Sequence, residues 1–356
     1  MTSSQKSAPG LRVVAIGGGT GLSTLLRGLK RFVPAPIASR RATDRVASPT
    51  TSRTETPVLA HVIRDLAAIV TVTDDGGSSG RLREDLKMLP PGDVRNCMVA
   101  VSEDEHLLAR LFQYRFRQGD LQGHSFGNLF LAALADITGD FAQAVQTSSQ
   151  ILTARGRIYP ATNTNVTLAA QMDNGTIVRG ETSITASPHR IVELRLDPSD
   201  ACPLPGALEA IAKADLITLG PGSLYTSLIT NMLVRGIPEA IAESRATRVY
   251  IGNLMTQANE SLGLTASQHI EKILQHCGRG SRPLFDYAVI NTAPISPTLL
   301  TRYQLEGQSP IDPDLDRIRA LGVEPVTGSF VHEENVLRHD YDRLAEAVLS
   351  LPLRSA

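Results

Sequence analysis

Five short apolar runs along the chain end in the same way. Leu11-Arg12-Val13-Val14-Ala15-Ile16, Ala68-Ile69-Val70-Thr71-Val72, Leu216-Ile217-Thr218-Leu219, Val249-Tyr250-Ile251 and Ala288-Val289-Ile290 each run into Gly, Asp, Asn or Thr within a residue or two. Near-continuous Val/Ile/Leu runs predict strands buried on both faces. Polar groups gathered at their ends predict an α/β fold: an open, mostly parallel sheet flanked by helices, with a ligand crevice beyond the carboxyl ends of the strands.

Helical spacing fills the intervals. A helix is predicted from about Leu22 to Phe32, and a short one from Arg83 toward Met88, stopped by Pro90-Pro91-Gly92. Asp93 is placed to cap a helix through Val101, and Ser102 with Glu105 has the capping-box pattern for another through about Phe116. Leu224 to Val234 forms a helix ended by Gly236, while Thr265 and Gln268 box a helix running to His276. Val166–Ala170 and Thr176–Arg179, joined by Asp173-Asn174-Gly175, read as a hairpin that Ile191–Leu196 joins, a small antiparallel subregion around 166–196.

Composition adds limits. The 356 residues, 42% of them hydrophobic, suffice for a substantial core. A net charge of -1 supplies no global field for nucleic acid, and no apolar stretch is long enough for membrane insertion or a signal peptide, so a cytoplasmic protein is expected. Cys97, Cys202 and Cys277 are odd in number and far apart; buried, reduced thiols are expected. His332-Glu333-Glu334-Asn335-Val336 lacks the second histidine of a zinc-protease helix, and His269 and His276 read as surface or core residues. Residues 1–10 read as a disordered tail, 11–345 as one domain, and 346–356 as a C-terminal tail. The Pro-, Ser-, Thr- and Arg-rich stretch at 34–61 reads as a disordered insert. That insert explains why Asp74 lies farther from the first glycine turn than the roughly 20 residues of a simple β-α-β unit.

The chemistry sits in the polar turns. Gly17-Gly18-Gly19-Thr20-Gly21 places bare amides at a helix start, where a phosphate is held by hydrogen bonds and the helix dipole. It matches neither the dinucleotide fingerprint, since Leu22 stands where the third glycine belongs, nor the P-loop, since no Gly-Lys-Ser/Thr follows. Asp74 and Asp75, followed by Gly76, Gly77, Ser78, Ser79 and Gly80, suit a metal, ribose hydroxyls or an attacking group; a tight polar turn capping a helix is the plain alternative. His124 and Asn128, between Gly123 and Leu129, suggest a second wall of the site. Gly220-Pro221-Gly222-Ser223 is a second glycine turn and not a G-x-S-x-G elbow, and Asn253 ends another strand. Amides, hydroxyls and carboxylates favour phosphate or sugar recognition over acyl transfer.

In sequence order, Val14 to Leu22, Thr73 to Arg83, Pro91-Gly92-Asp93-Val94-Arg95-Asn96, Gly123 to Leu129, Gly220 to Ser227 and Asn253 to Gln257 resemble the gluconeogenesis factor (YvcK-like) family, itself related to the 2-phospho-L-lactate transferases that build coenzyme F420. The resemblance runs from about 11 to 345. It implies a Rossmann-like fold and a bacterial cytoplasmic protein that binds UDP-sugars such as UDP-N-acetylglucosamine, linked to cell shape, wall synthesis and growth on gluconeogenic carbon. By position it places Gly17, Gly18, Gly19, Thr20, Gly21, Asp74, Asp75, Ser78, Asn128, Gly220, Pro221, Gly222, Ser223 and Asn253 around the nucleotide sugar. The chain departs from the family pattern in its 34–61 insert, at Thr230, and at Ala258-Asn259-Glu260-Ser261. The leading expectation is a UDP-sugar-binding regulator with cell-wall or regulatory protein partners, and a homo-oligomer is compatible with it. The alternative is a transferase of a phospho-organic group, with Asp74 and Asp75 on Mg²⁺; an aromatic content of only 4% and the absence of Trp lean against a large stacked acceptor.

Overall fold

In the computed structural model, which describes residues 10–34, 62–103, 107–278 and 283–354, the apolar runs become the parallel sheet. The strands are β1 (Leu11–Gly17), β2 (Ile63–Val70), β3 (Arg157–Pro160), β7 (Leu216–Leu219), β8 (Thr247–Ile251), β9 (Tyr287–Asn291) and β10 (Glu324–Gly328). All pair in parallel, in the order β10-β9-β8-β7-β1-β2-β3. Every residue of β7 and β8 is buried, as strands covered by helices on both faces require. The chain leaves β1 toward β2 and β3, then returns on the other side of β1 to build β7 to β10. Strand order therefore reverses between β1 and β7, the topological switch point at which a crevice opens. β4 (Thr167–Met172), β5 (Ile177–Arg179) and β6 (Ile191–Asp197) form the separate antiparallel sheet, order β5-β4-β6, with Gly175 at φ +82° in the Asn-Gly turn. A hairpin of β11 (Val331–Glu333) and β12 (Leu337–His339) follows the sheet's last strand.

The helices are α1 (Gly19–Lys30), α2 (Gly77–Leu86), α3 (Gly92–Val101), α4 (Leu107–Gln113), α5 (Phe126–Thr138), α6 (Phe141–Ile151), α7 (Glu181–Ala186), α8 (Pro205–Lys213), α9 (Ile237–Glu243), α10 (Ala266–His276), α11 (Pro297–Leu305), α12 (Leu315–Ala320) and α13 (Tyr341–Leu349). Between α8 and α9 lies a π-type turn, Leu224–Ile229, continuing into Thr230–Met232. α1 packs on α3 and α13, and Gly28 permits the second contact, since a Cβ there would lie 2.0 Å from the Tyr341 carbonyl oxygen.

Several local expectations need correction. The first helix opens at Gly19 rather than Leu22, so the glycine turn is itself the helix's first turn. Helix α2 begins at Gly77, ahead of Arg83; its N-cap is Gly76, and Ser78 and Ser79 are buried in its first turn. Asp93 does not cap α3, whose N-cap is Pro91; its carboxylate reaches elsewhere, as described below. Ser102 ends α3, its hydroxyl donating to the Val99 carbonyl at 2.8 Å, while Glu105, the other half of the box expected there, lies outside the described residues. Cys97 is buried but Cys202 is exposed. The segment after 345 is no free tail: Val348, Leu349 and Leu351 are buried, and Arg354 donates to Asp286, just before β9, at 2.6 Å. Of the stretch expected as an insert, 35–61 lies outside the described residues, as do 1–9.

The box on α10 forms as expected: Thr265 Oγ1 accepts from the Gln268 amide, and Gln268 Oε1 accepts from the Thr265 amide at 2.9 Å. Thr265→Ala is expected to lower stability by about 1 kcal/mol in a urea titration, with an unchanged slope. A loss below a few tenths would mean that Asp314, which also accepts from Thr265 Oγ1 at 2.7 Å, keeps this helix start ordered by itself.

Candidate functional site at the switch point

The two glycine turns press against each other at the carboxyl ends of β1 and β7. A Cβ on Gly21 would stand 2.5 Å from the Pro221 carbonyl oxygen, and one on Gly220, at φ +96°, 2.7 Å from the Ile251 carbonyl oxygen. Only backbone fits in these gaps, which is the reason for glycine at both. Asn253, just past β8, holds the second turn from both sides: its Oδ1 accepts from the Gly222 amide at 3.2 Å and its Nδ2 donates to the Gly222 carbonyl at 2.7 Å. Gln257 Nε2 donates to Ser223 Oγ at 2.8 Å. Above the turns opens a cavity of about 450 Å³, bounded on its far side by Tyr303 and the β11–β12 hairpin.

That hairpin is fastened down. Tyr303 Oη accepts from the Leu337 amide at 2.9 Å, and Arg302 donates to the Asn335 carbonyl at 2.6 Å. His339 Nε2 donates to the Gly252 carbonyl at 3.1 Å, and burial lowers its pKa to about 4, so the ring stays neutral. Arg338 is then the one cation lining the cavity, and among the described residues its guanidinium has no hydrogen-bond partner. With the open amides of the first turn of α1 opposite, the cavity matches an anion.

A carboxylate group lies directly behind the first glycine turn. Asp93 Oδ2 accepts from the Gly19 amide at 2.7 Å, so that one amide of the helix start is already taken. A Cβ on Gly18 would sit 2.8 Å from the same oxygen and 3.2 Å from Ser227 Oγ, so cavity and carboxylates are the two sides of one turn. Burial, and then the charge of Asp74, push Asp93 up to about 7. Glu181 is pushed up to about 9 by burial, then by Asp93 and Asp74, and it accepts from Thr73 Oγ1 at 3.2 Å. Glu181 therefore keeps its proton at neutral pH, while Asp93 titrates close to it.

Asp74 and Asp75 are turned to different partners. Asp74 Oδ1 accepts from the Gly76 amide at 3.0 Å, whereas Asp75 Oδ1 accepts from the amide and hydroxyl of Thr182 at 2.8 and 2.6 Å, at the start of α7. The two carboxylates are thus engaged apart from each other, and among the described residues no group of three or more His, Cys, Asp or Glu is placed to hold a metal ion. Ser78 Oγ bonds His124 Nδ1 at 3.1 Å and accepts from Asn128 Nδ2 at 3.2 Å, tying α2 to α5. Asn128 Oδ1 is buried without a partner.

Of the residues named from the sequence, Gly18 to Gly21, Pro221, Gly222, Ser223 and Asn253 line the cavity, and Gly17 and Gly220 stand one step behind it. Asp74, Asp75, Ser78 and Asn128 lie on the other side of the turn, outside its lining. The structure adds Asp93, Glu181, Gln257, Tyr303, Arg338 and His339 to the site. Asp93 and Gln257 stand inside motifs the sequence displays; the others carry no local signal.

Comparison with known proteins agrees with this fold. Residues 13–331 match the family model described as 2-phospho-L-lactate transferase CofD. A gluconeogenesis factor of Halalkalibacterium halodurans is 47% identical over 339 residues, covering 95% of either chain. The gluconeogenesis factor of Bacillus subtilis is 42% identical over 342 residues, covering 96% of this chain and 98% of its own. A crystal structure of a UPF0052 family member from Bacillus halodurans superposes with a TM-score of 0.85 at 45% identity, covering 96% of this chain and all of that one. The chain therefore belongs to the gluconeogenesis factor family, within the wider CofD-like group.

Proposed function

We propose that this protein binds a UDP-sugar, UDP-N-acetylglucosamine in the first instance, in the switch-point cavity, and that it acts in the cytoplasm as a regulator of wall synthesis, cell shape and growth on gluconeogenic carbon through protein partners. The observation that carries the reading is the placement of Arg338 in the same cavity as the open first turn of α1. A diphosphate needs both a cation and unbonded amides, and the amides of Thr20 and Gly21 belong to the open first turn of α1. Asn253, Ser223 and Gln257 add neutral donors and acceptors suited to sugar and base. The volume of about 450 Å³ lies within the usual range for a small-molecule site.

The test is thermal unfolding with UDP-N-acetylglucosamine, followed by mass spectrometry of the recovered ligand. Stabilisation should grow as RT ln(1 + [L]/Kd), about 2.7 kcal/mol at a hundredfold excess over Kd, with the ligand returned intact. Arg338→Ala is expected to weaken binding about tenfold, the loss of one charge-assisted contact, while the melting temperature without ligand stays near that of the parent. No stabilisation at any attainable concentration would sink the ligand assignment.

One observation favours a second reading, a transferase of a phospho-organic group: the carboxylates of Asp74, Asp93 and Glu181 lie against the back of the turn. An acceptor hydroxyl there would meet Asp93, whose pKa burial raises to about 7, as a base. Consumption of the donor when an acceptor is supplied would choose this reading over the regulator.

A further inference from the structure

A second cavity, of about 420 Å³, lies on the opposite side of the π-type turn Leu224–Ile229, between the start of β6, the loop 257–264 and α10. Its wall contains Tyr225, which is only 2% exposed and whose hydroxyl has no hydrogen-bond partner among the described residues. A phenol hydroxyl left unbonded in a residue of the cavity wall can donate to an acceptor that enters. Its pKa is pushed up to about 12 by burial and then by Glu260, so it keeps its proton. Two flexible cations stand at the rim. Arg190 makes no side-chain hydrogen bond among the described residues, and Lys272 has only a long contact of 3.4 Å to Gln275. His189 is nearby but is engaged with Asp173 at 3.2 Å.

The acidic group in this wall is already committed. Glu260 Oε1 accepts from the amides of Tyr225 and Thr226 at 2.8 and 3.0 Å, so it serves the open end of the π-type turn and does not face an incoming anion unpaired. The remaining lining is apolar: Pro188, Ile191, Leu262 and Leu264. A donor at the base, cations at the mouth and an aliphatic side wall together describe an organic anion with a compact apolar body.

From this arrangement we propose that the cavity is a second ligand site, for a small organic phosphate or carboxylate, and that its occupant modulates the switch-point cavity. The two cavities share their partition. Within the π-type turn and the residue before it, Tyr225 faces the second cavity while Ser223 and Ser227 line the first. The loop after β8 likewise fastens both: Asn253 and Gln257 hold Gly222 and Ser223 on one side, and Glu260 holds the amides of Tyr225 and Thr226 on the other. π-type turns inside helices are frequent at functional positions, and among the described residues this one and that loop are the wall elements the two cavities share. Any ligand that shifts Tyr225 or Glu260 acts on groups bonded to the first turn of the neighbouring site, and the coupling is reciprocal.

The probe is phenyl phosphate, an anion with a rigid apolar body, titrated calorimetrically into the full chain without any nucleotide, so that the outcome does not depend on the UDP-sugar reading. One saturable site is expected, at a Kd of about 1 mM or tighter. Lys272→Met should weaken it about tenfold, and Tyr225→Phe, which removes only the hydroxyl, about fivefold. No saturation by about 10 mM overturns the site. So does binding that survives both variants, and binding that is lost in Arg338→Ala alone assigns the anion to the first cavity and equally overturns it. With the second site shown, UDP-N-acetylglucosamine is titrated with and without saturating phenyl phosphate; a change of at least about fivefold in its Kd is expected. An unchanged Kd refutes the regulatory half of the proposal, whereas the absence of UDP-sugar binding in both titrations refutes the earlier ligand assignment and leaves the second site standing.

Discussion

Gly21→Val should destabilise the protein by about 3 kcal/mol and weaken UDP-sugar binding more than tenfold, the larger of the two effects expected for the first glycine turn. The new Cβ would lie 2.5 Å from the Pro221 carbonyl oxygen, 2.7 Å from its carbon and 3.0 Å from Gly222 Cα, all backbone. Neither side can withdraw cheaply. The Gly220 amide donates to the Ile16 carbonyl at 2.9 Å and the Thr71 amide to the Gly17 carbonyl at 3.0 Å, so moving either turn breaks sheet hydrogen bonds at the centre of the fold. In a thermal scan the loss should appear as a drop of about 5–10 °C. Gly19→Val is the contrasting case. A Cβ at Gly19 meets no heavy atom within 4 Å, but the residue sits at φ +60°, so the change strains the backbone by about 1–3 kcal/mol without driving the turns apart. A Gly21→Val protein that melts with the parent would show that β1 and β7 separate more easily than their pairing implies.

The same turn shows what the sequence can and cannot reveal. Runs such as Leu11–Ile16 and Leu216–Leu219 announce buried strands because both faces are apolar, and the glycines after them announce turns because only glycine tolerates such contacts. From strands that all end in polar groups, a parallel sheet with its crevice at one end follows by topology alone. Less visible are elements too short to carry a period. β11 and β12 have three residues each, and β3 has four, with an exposed arginine at its start. Arg338 and Tyr303, which complete the cavity, sit on or against that hairpin and therefore leave no signature.

Asp93 misleads for a different reason. An aspartate after Pro-Pro-Gly looks like a helix cap, and local sequence contains nothing to say that its partner is the Gly19 amide, 74 residues earlier. Conversely, Thr265 with Gln268 is legible because both halves of that box are local. Contacts within a turn or a helix end can be read from the chain; the pairing of distant loops into one site cannot.

The distant pairing of Asp93 and Glu181 has its own consequence, an expected loss of stability on the alkaline side. Unfolded, the two carboxyls titrate near their ordinary values of 3.8 and 4.5, while in the folded protein they are raised to about 7 and about 9. Between those values the folded state binds more protons than the unfolded one, so stability must fall as pH rises. The stabilising protons are fully present below the ordinary carboxylate range. That of Asp93 is lost as pH passes about 7 and that of Glu181 as it passes about 9. Each pH unit that separates a folded from an unfolded titration is worth about 1.4 kcal/mol, so the two groups together account for a decline on the order of several kcal/mol between pH 5 and pH 9. Glu181→Gln replaces the protonated acid by an isosteric neutral amide that still accepts from Thr73 Oγ1. It should match the parent at pH 5, exceed it at pH 9, and flatten the slope of unfolding free energy against pH. Urea titrations at pH 5, 7 and 9 decide the matter. A parent whose stability rises over that range, or a Glu181→Gln variant with an unaltered slope, would mean that the carboxylates behind the glycine turn are charged at neutral pH and that the turn faces a fixed negative field rather than a protonated one.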